Sequence, residues 1–250
     1  MKNQKIVMRN TNILILIIFM LILPTQLYAM NNTNRAKNYP MIITTTNDLI
    51  IYDITECKLD LACGQMPDTT MENVILCTAA AFTGKCLDYF EHTNILGPHI
   101  SNNVLYDGYE YDEHYALFAA HGKEKGIYNL PNQAVLEQVL KEGGMAFTQH
   151  WVIKNGKIYT PTIQKLEEKH HYRSMCIKEG RVCVVASKEK VSYQDFLNML
   201  VDFGVENALY MDMGRGWNHS FYRDEQGQVH IIHPKTHNYC TNWLTVFRVR

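Results

Sequence analysis

Apolar positions in this chain recur mostly in short runs separated by glycine, asparagine and proline, with one sustained helical period. Met145 to Ile153 reads as a strand. The Asn-Gly pair inside "KNGK", Lys154 to Lys157, tolerates positive φ and predicts a tight hairpin with a return strand from Ile158. Arg173 to Ile177 and Arg181 to Ala186 predict a second hairpin around Glu179-Gly180. The helical period follows: Phe196, Leu197, Leu200 and Phe203 share a face, Ser192 with Asp195 three residues on is an N-cap signal, and Gly204 stands where a left-handed terminator belongs. A second helix is predicted from about Asn132 to Glu142, ended by Gly143-Gly144.

Arg181 to Ala186, the helix and Asn207 to Asp212 therefore predict a strand–helix–strand unit, expected as a right-handed crossover between parallel strands. It places Asp212 at the carboxyl end of its strand, where ligand loops gather in open α/β sheets. No repeat, linker or low-complexity run interrupts the chain after the Asn-rich stretch from Asn31 to Lys37. The expected fold class is α/β (α+β), a single domain over residues 41–250 with a mixed, strand-rich sheet and a few helices.

The N-terminus stands apart from this pattern. Lys2, Lys5 and Arg9 precede an apolar run from Ile13 to Leu23, then Pro24 and Ala29, which reads as a signal peptide over residues 1–29 followed by a polar segment to residue 40. Eleven apolar residues are short of the roughly 20 needed for a bilayer span. The expectation is a secreted or periplasmic protein with no membrane association after cleavage. Losing those three positive charges moves the formal net charge from −1 to −4, which leaves no basic face for nucleic acid.

Seven cysteines remain in the chain, so at least one thiol is unpaired within it. Cys57 and Cys63, read as flanking a short polar loop, are the expected disulfide. Cys77, Cys176 and Cys183 lie in apolar runs and are expected as buried thiols. No cysteine pair has zinc-finger spacing, and of His170, His171, His230, His233 and His237 only His233 and His237 are four apart, across Pro234 and in no helical pattern, so no metal is expected. The cofactor expectation is likewise none, apart from a calcium ion that scattered Asp and Asn oxygens could hold.

The chemistry concentrates in "ALYMDMGRGWNHSFYR", Ala208 to Arg223. A strand holds Asp212, while Gly214 and Gly216 let the backbone turn and bring bare N–H groups to an anionic or oxygen-rich ligand. Trp217 and Asn218 add a ring for sugar stacking and a hydroxyl partner. The same residues also suit an ordinary capped turn. Two further places compete. His92, Asn94, His99 and Asn102 crowd a Gly-Pro loop, and Arg173 opens a strand where a guanidinium could grip phosphate in two-pronged fashion. A surface loop and a surface ion pair explain them equally well. The sequence contains no nucleophile elbow, P-loop or dinucleotide fingerprint. Cys86 near His92 evokes a thiol protease without supporting context.

In order along the chain, "AAAFTG", "GMAFTQHWVIKNGKIY", "RSMCIKEGRVCVV", "GVENALYMDMGRGW" and "TNWLTVF" resemble the phosphodiester glycosidase family, over roughly residues 70 to 250. The family includes the catalytic domain of the lysosomal uncovering enzyme, and the likeness is greatest to its secreted branch typical of Bacteroidetes. The family's Asn-Leu-Asp-Gly-Gly-Gly-Ser segment matches "YMDMGRG", which keeps Asp212. Its Asn-Gly-Gly-Phe-Phe segment matches Ala79 to Thr83, with Ala79 in place of the Asn, so that either its hydrogen bonding falls to another loop, with Thr83, His92 or Asn94 as candidates, or substrate and activity differ. The resemblance implies hydrolysis of a sugar-1-phosphodiester in a glycan or cell-surface polymer, with Arg173 on phosphate and Asp212 as nucleophile, base or orienter. Thr83, His92, Asn94, His99, Gln149, Gly214, Gly216, Trp217 and Asn218 are the implied substrate-binding positions. Glu110, Asp112 and Glu113 could supply a second carboxylate. A glycan-binding protein that kept the fold and lost the chemistry is the alternative.

Overall fold

The computed structural model describes residues 39–85, 87–159, 169–213, 219–234 and 241–248. Residues 1–29, read above as a signal peptide, lie outside them. Strands β1 (Ile42–Thr45), β2 (Leu49–Asp53), β3 (Lys58–Cys63) and β4 (Val74–Ala79) come first. A 3-10 turn at His92–Asn94 leads to β5 (His99–Ser101), β6 (Val104–Tyr106), β7 (Tyr115–His121) and β8 (Glu124–Asn129). Helix α1 (Gln133–Glu142) precedes β9 (Met145–Lys154), β10 (Lys157–Ile158), β11 (Arg173–Lys178) and β12 (Arg181–Ser187). Helix α2 (Tyr193–Asp202) is followed by β13 (Asn207–Tyr210), β14 (Ser220–Arg223), β15 (Val229–His233) and β16 (Asn242–Phe247).

The local signals act as their chemistry requires. Asn155 and Gly156 turn the β9–β10 hairpin at φ of 52° and 72°, and Glu179 with Gly180 does the same between β11 and β12. The Ser192 side chain accepts from the Asp195 N–H at 3.1 Å, and Asn132 caps α1 through the Val135 N–H. Gly204 and Gly143 take up left-handed φ beyond the two helices.

The strands form two sheets. The larger runs β1-β2-β12-β11-β13-β9-β5-β6, with β10 and the β7–β8 hairpin also joined through β9. The smaller runs β15-β14-β4-β16-β3. Every ladder between described strands is antiparallel, which corrects the expected mixed sheet. β12 and β13 do run in the same direction, but β11 lies between them and pairs with both. The helix crossover therefore spans an intervening strand. The fold is α+β in character and strand-dominated, and all described elements except Tyr39 belong to one compact unit, Pro40–Arg250.

Period-two alternation on β11 sorts its side chains. Cys176 joins Tyr172, Val185, Phe196, Leu197 and Leu200 in the core beneath α2. Arg173 points the other way, to Thr78 of the smaller sheet. Tyr52 against Tyr222 and the bond from Ser101 Oγ to the Leu61 carbonyl also join the two sheets. Helix α1 covers Ile100, Leu117, Ala119 and Ala146.

The Cys57–Cys63 disulfide does not form, and both thiols are free. The intervening residues are strand β3 rather than a loop, and at about 3.3 Å per residue a strand holds its two ends roughly 20 Å apart, far beyond disulfide reach. Cys77, Cys176 and Cys183 are buried thiols, as their apolar surroundings predict.

Candidate functional site

Asp212 follows β13 and is buried, 6% exposed. Its N–H donates to the Ala80 carbonyl, and the preceding Met211 N–H donates to the Arg173 carbonyl. The acid is thereby fixed between the end of β4 and the start of β11. Tyr109 and Tyr210 lie close enough to feel its charge. Burial raises both phenols well above their usual range, and the Asp212 carboxylate adds to that rise, so they stay protonated as donors. Phe82 packs on Tyr210, with ring centroids 5.4 Å apart, and meets the edge of His150, which Tyr115 covers from its other side. Asp212 thus sits beside an aromatic wall drawn from four separate segments.

Arg173 is the largest fully buried side chain, at 1% exposure. Its guanidinium donates to Thr78 Oγ1 and to His233 Nδ1, the latter at 3.1 Å, while Nε has no partner. No carboxylate lies within ion-pair distance among the described residues. Burial lowers its pKa to about 10, which still leaves it charged. Because a guanidinium only donates, His233 Nδ1 must be the acceptor, and its proton sits on Nε2 on the far side of the ring. Ser220 Oγ lies 3.4 Å from the same Nδ1, and the His171 ring packs edge-on against His233. Burial first, then Arg173 and His171, push His233 down to about 4, so it is neutral near pH 7.

The other expected positions divide clearly. Gln149 is buried, donates to the Ala80 carbonyl and accepts from the His150 N–H, so it braces the same turn as Asp212. Thr83 pairs with Thr241 at 3.1 Å. Asn94 spends both ends of its amide on the Lys85 backbone. His92 and His99 bond to each other at 3.0 Å. Glu110, Asp112 and Glu113 are exposed in a loop rather than on a strand. Gly214, Gly216, Trp217 and Asn218 lie outside the described residues.

A further amide, that of Asn242 on β16, braces the turn after Ala79. It accepts from the Ala81 N–H at 2.8 Å and donates to the Ala81 carbonyl at 3.0 Å. Ala79, Ala80 and Ala81 are fully buried, which lets these polar groups reach the backbone directly. Asn242, Thr78, Ser220 and His233 carried no sequence signal, because each acts on a segment at least 60 residues away or through a cross-strand pairing. A cleft of about 370 Å³ opens beside Tyr109, lined by Gly84, Lys85, Tyr89, Glu91 and Asn94. A larger one of about 590 Å³, at Cys57, His121 and Lys125, is lined by none of the residues around Asp212 or Arg173.

With this geometry established, a solved structure is informative. The catalytic domain of zebrafish N-acetylglucosamine-1-phosphodiester alpha-N-acetylglucosaminidase, auto-inhibited by its pro-peptide, superposes with a TM-score of 0.54, covering 84% of this chain and 82% of that one at 11% identity. The fold resembles that of a phosphodiester glycosidase catalytic domain. A hypothetical protein from Synechocystis gives a TM-score of 0.46 at 11% identity, over 86% of this chain and 63% of that one. No family model and no curated protein sequence matches the chain.

Proposed function

We propose that the chain is a secreted or periplasmic hydrolase that cleaves a sugar-1-phosphodiester in a glycan or cell-surface polymer. The observation that carries the reading is a buried guanidinium with no counter-ion among the described residues, Arg173, one strand away from the strand-end acid Asp212. The likeness to a hydrolase catalytic domain supports it at the level of fold.

The leaving group of such a substrate is a phosphate ester, already a stable anion, so stabilising negative charge matters more than protonation. Arg173 supplies a fixed positive potential from beneath the site rather than an exposed grip on phosphate. His233, neutral and with its proton held on Nε2, extends that potential as a donor. Asp212, beside the protonated phenols of Tyr109 and Tyr210, orients the sugar or activates water, and the aromatic wall supplies a stacking face.

The test is release of free sugar from uridine-diphospho-N-acetylglucosamine and a panel of sugar-1-phosphodiesters. Asp212→Asn is expected to lower kcat by about 10²- to 10⁴-fold and Arg173→Ala by about 10²-fold or more. Undiminished hydrolysis in both variants overturns the assignment. Glycan binding without turnover would favour the non-catalytic alternative, which Ala79 in place of the family Asn motivates.

A further inference from the structure

Three donor atoms that the sequence scatters are gathered at one point. Cys63 ends β3, His92 lies in the 3-10 turn and His99 opens β5. The Cys63 thiol and one ring nitrogen from each histidine all lie within 4.8 Å of one another. We propose that Cys63, His92 and His99 bind a divalent transition-metal ion of the zinc class, leaving one position open to solvent.

The hydrogen bonds around His99 hold that ring in the tautomer a metal needs. A carbonyl can only accept, so the 3.0 Å contact between His99 Nδ1 and the Gly97 carbonyl puts the His99 proton on Nδ1. The Nε2 lone pair then faces His92 Nδ1 at 3.0 Å. A backbone carbonyl on the outer nitrogen is the usual support of a metal-bound imidazole. Ser101 lies beside the Cys63 thiol and gives its one hydroxyl proton to the Leu61 carbonyl, so it orients the metal-free thiol as an acceptor and would turn that proton to the sulfur once the thiolate forms.

Packing fixes the rings. His92 stacks on Tyr106 and takes the edge of Phe90 at 4.6 Å between centroids. Gly64, at φ 79°, leaves the space Phe90 occupies, since a Cβ there would lie 2.8 Å from the Phe90 ring. His99 is fully buried, whereas Cys63 and His92 are half-buried and admit an ion and its water from one side.

The donor set decides the ligand class. Thiolate with two imidazoles selects zinc-class ions over calcium or magnesium, which want oxygen. With metal–nitrogen bonds near 2.0 Å and a metal–sulfur bond near 2.3 Å, a tetrahedral ion needs nitrogens roughly 3.3 Å apart, close to the spacing present. On binding, the Cys63 thiol loses one proton to solvent. The His92 proton shifts from Nδ1 to Nε2, so both imidazoles bind neutral and the net release is one proton. The ion would tie the smaller sheet, through Cys63, to the larger sheet, through His99.

The experiment is titration of the metal-free full chain with cobalt(II), which reports a thiolate ligand by an intense near-ultraviolet band and tetrahedral geometry by visible bands. One equivalent should bind with the thiolate band, and zinc should displace it. Cys63→Ser should abolish the band, His99→Gln should weaken binding by about tenfold or more, and Cys57→Ser should change neither. A band that survives Cys63→Ser, or no stoichiometric binding by wild type, overturns the proposal in favour of a simple hydrogen-bonded histidine pair. X-ray absorption of the zinc-loaded wild type needs no variant to fold: one sulfur and two imidazoles support the site, and absence of sulfur overturns it. None of these readouts depends on hydrolytic activity.

Discussion

Burying a guanidinium costs several kcal/mol unless an anion offsets it. Arg173 is 1% exposed and has only Thr78 and His233 as described side-chain partners. A charge kept at that cost is expected to trade stability for function. Arg173→Met, similar in volume, should therefore hold stability to within about 1 kcal/mol or raise it, while hydrolysis of the sugar phosphodiester is lost. A urea denaturation curve beside the activity assay checks both halves, and a loss of more than about 3 kcal/mol would make Arg173 a purely structural residue. His233 gives a second prediction. Its pKa is held near 4 when folded, against 6.5 in the unfolded chain. Between those values the unfolded chain takes up a proton that the folded chain does not. Stability from this group is present above about pH 6.5, falls as pH drops toward 4, and falls no further below that. His233→Gln, which can still accept from Arg173, should flatten the slope of urea midpoint against pH in that window.

At the scale of elements, the loop Ala80–Thr83 owes its shape to a side chain on the last described strand. Asn242→Ala strips partners from the buried Ala81 N–H and carbonyl, and should cost about 2 kcal/mol in thermal or urea unfolding. Ser192→Ala, at the N-cap of α2, should cost about 1 kcal/mol by the same measurement. The contrast between the two explains what was legible beforehand. Ser192, Asn155-Gly156, Glu179-Gly180 and Gly204 act within a few residues of themselves, so their chemistry is written locally and both helices and both hairpins follow from it. The position of Asp212 at a strand end was legible for the same reason. Pairing is not local: nothing in β11, β12 and β13 announces that β11 enters between the other two. Likewise Cys57 and Cys63 suggest a bridge only if the residues between them form a loop, and those residues are strand β3. The partners of Arg173 and the cluster of Cys63 with His92 and His99 arise from contacts between sheets, which no spacing rule reaches.

For the molecule as a whole, the free thiols are a direct test of the strand assignment. Denaturation without reductant followed by alkylation should label both Cys57 and Cys63, and a linked peptide between them would show that β3 is wrongly drawn. The smaller sheet carries a further implication. β16 lies in its interior, with β4 on one flank and β3 on the other, yet it is the last strand described. Until residues 242–247 arrive, β3 and β4 keep unpaired edges, and the Ala81 backbone has no Asn242 to hold it. During synthesis, then, the hairpins of the larger sheet can close as they emerge, while the wall that carries Thr78 and the Ala80 turn must wait for β16. Such a timetable leaves two strand edges exposed until β16 is made, the period in which edge pairing with another chain is most costly. It also delays assembly of the proposed catalytic surface until β16 has emerged.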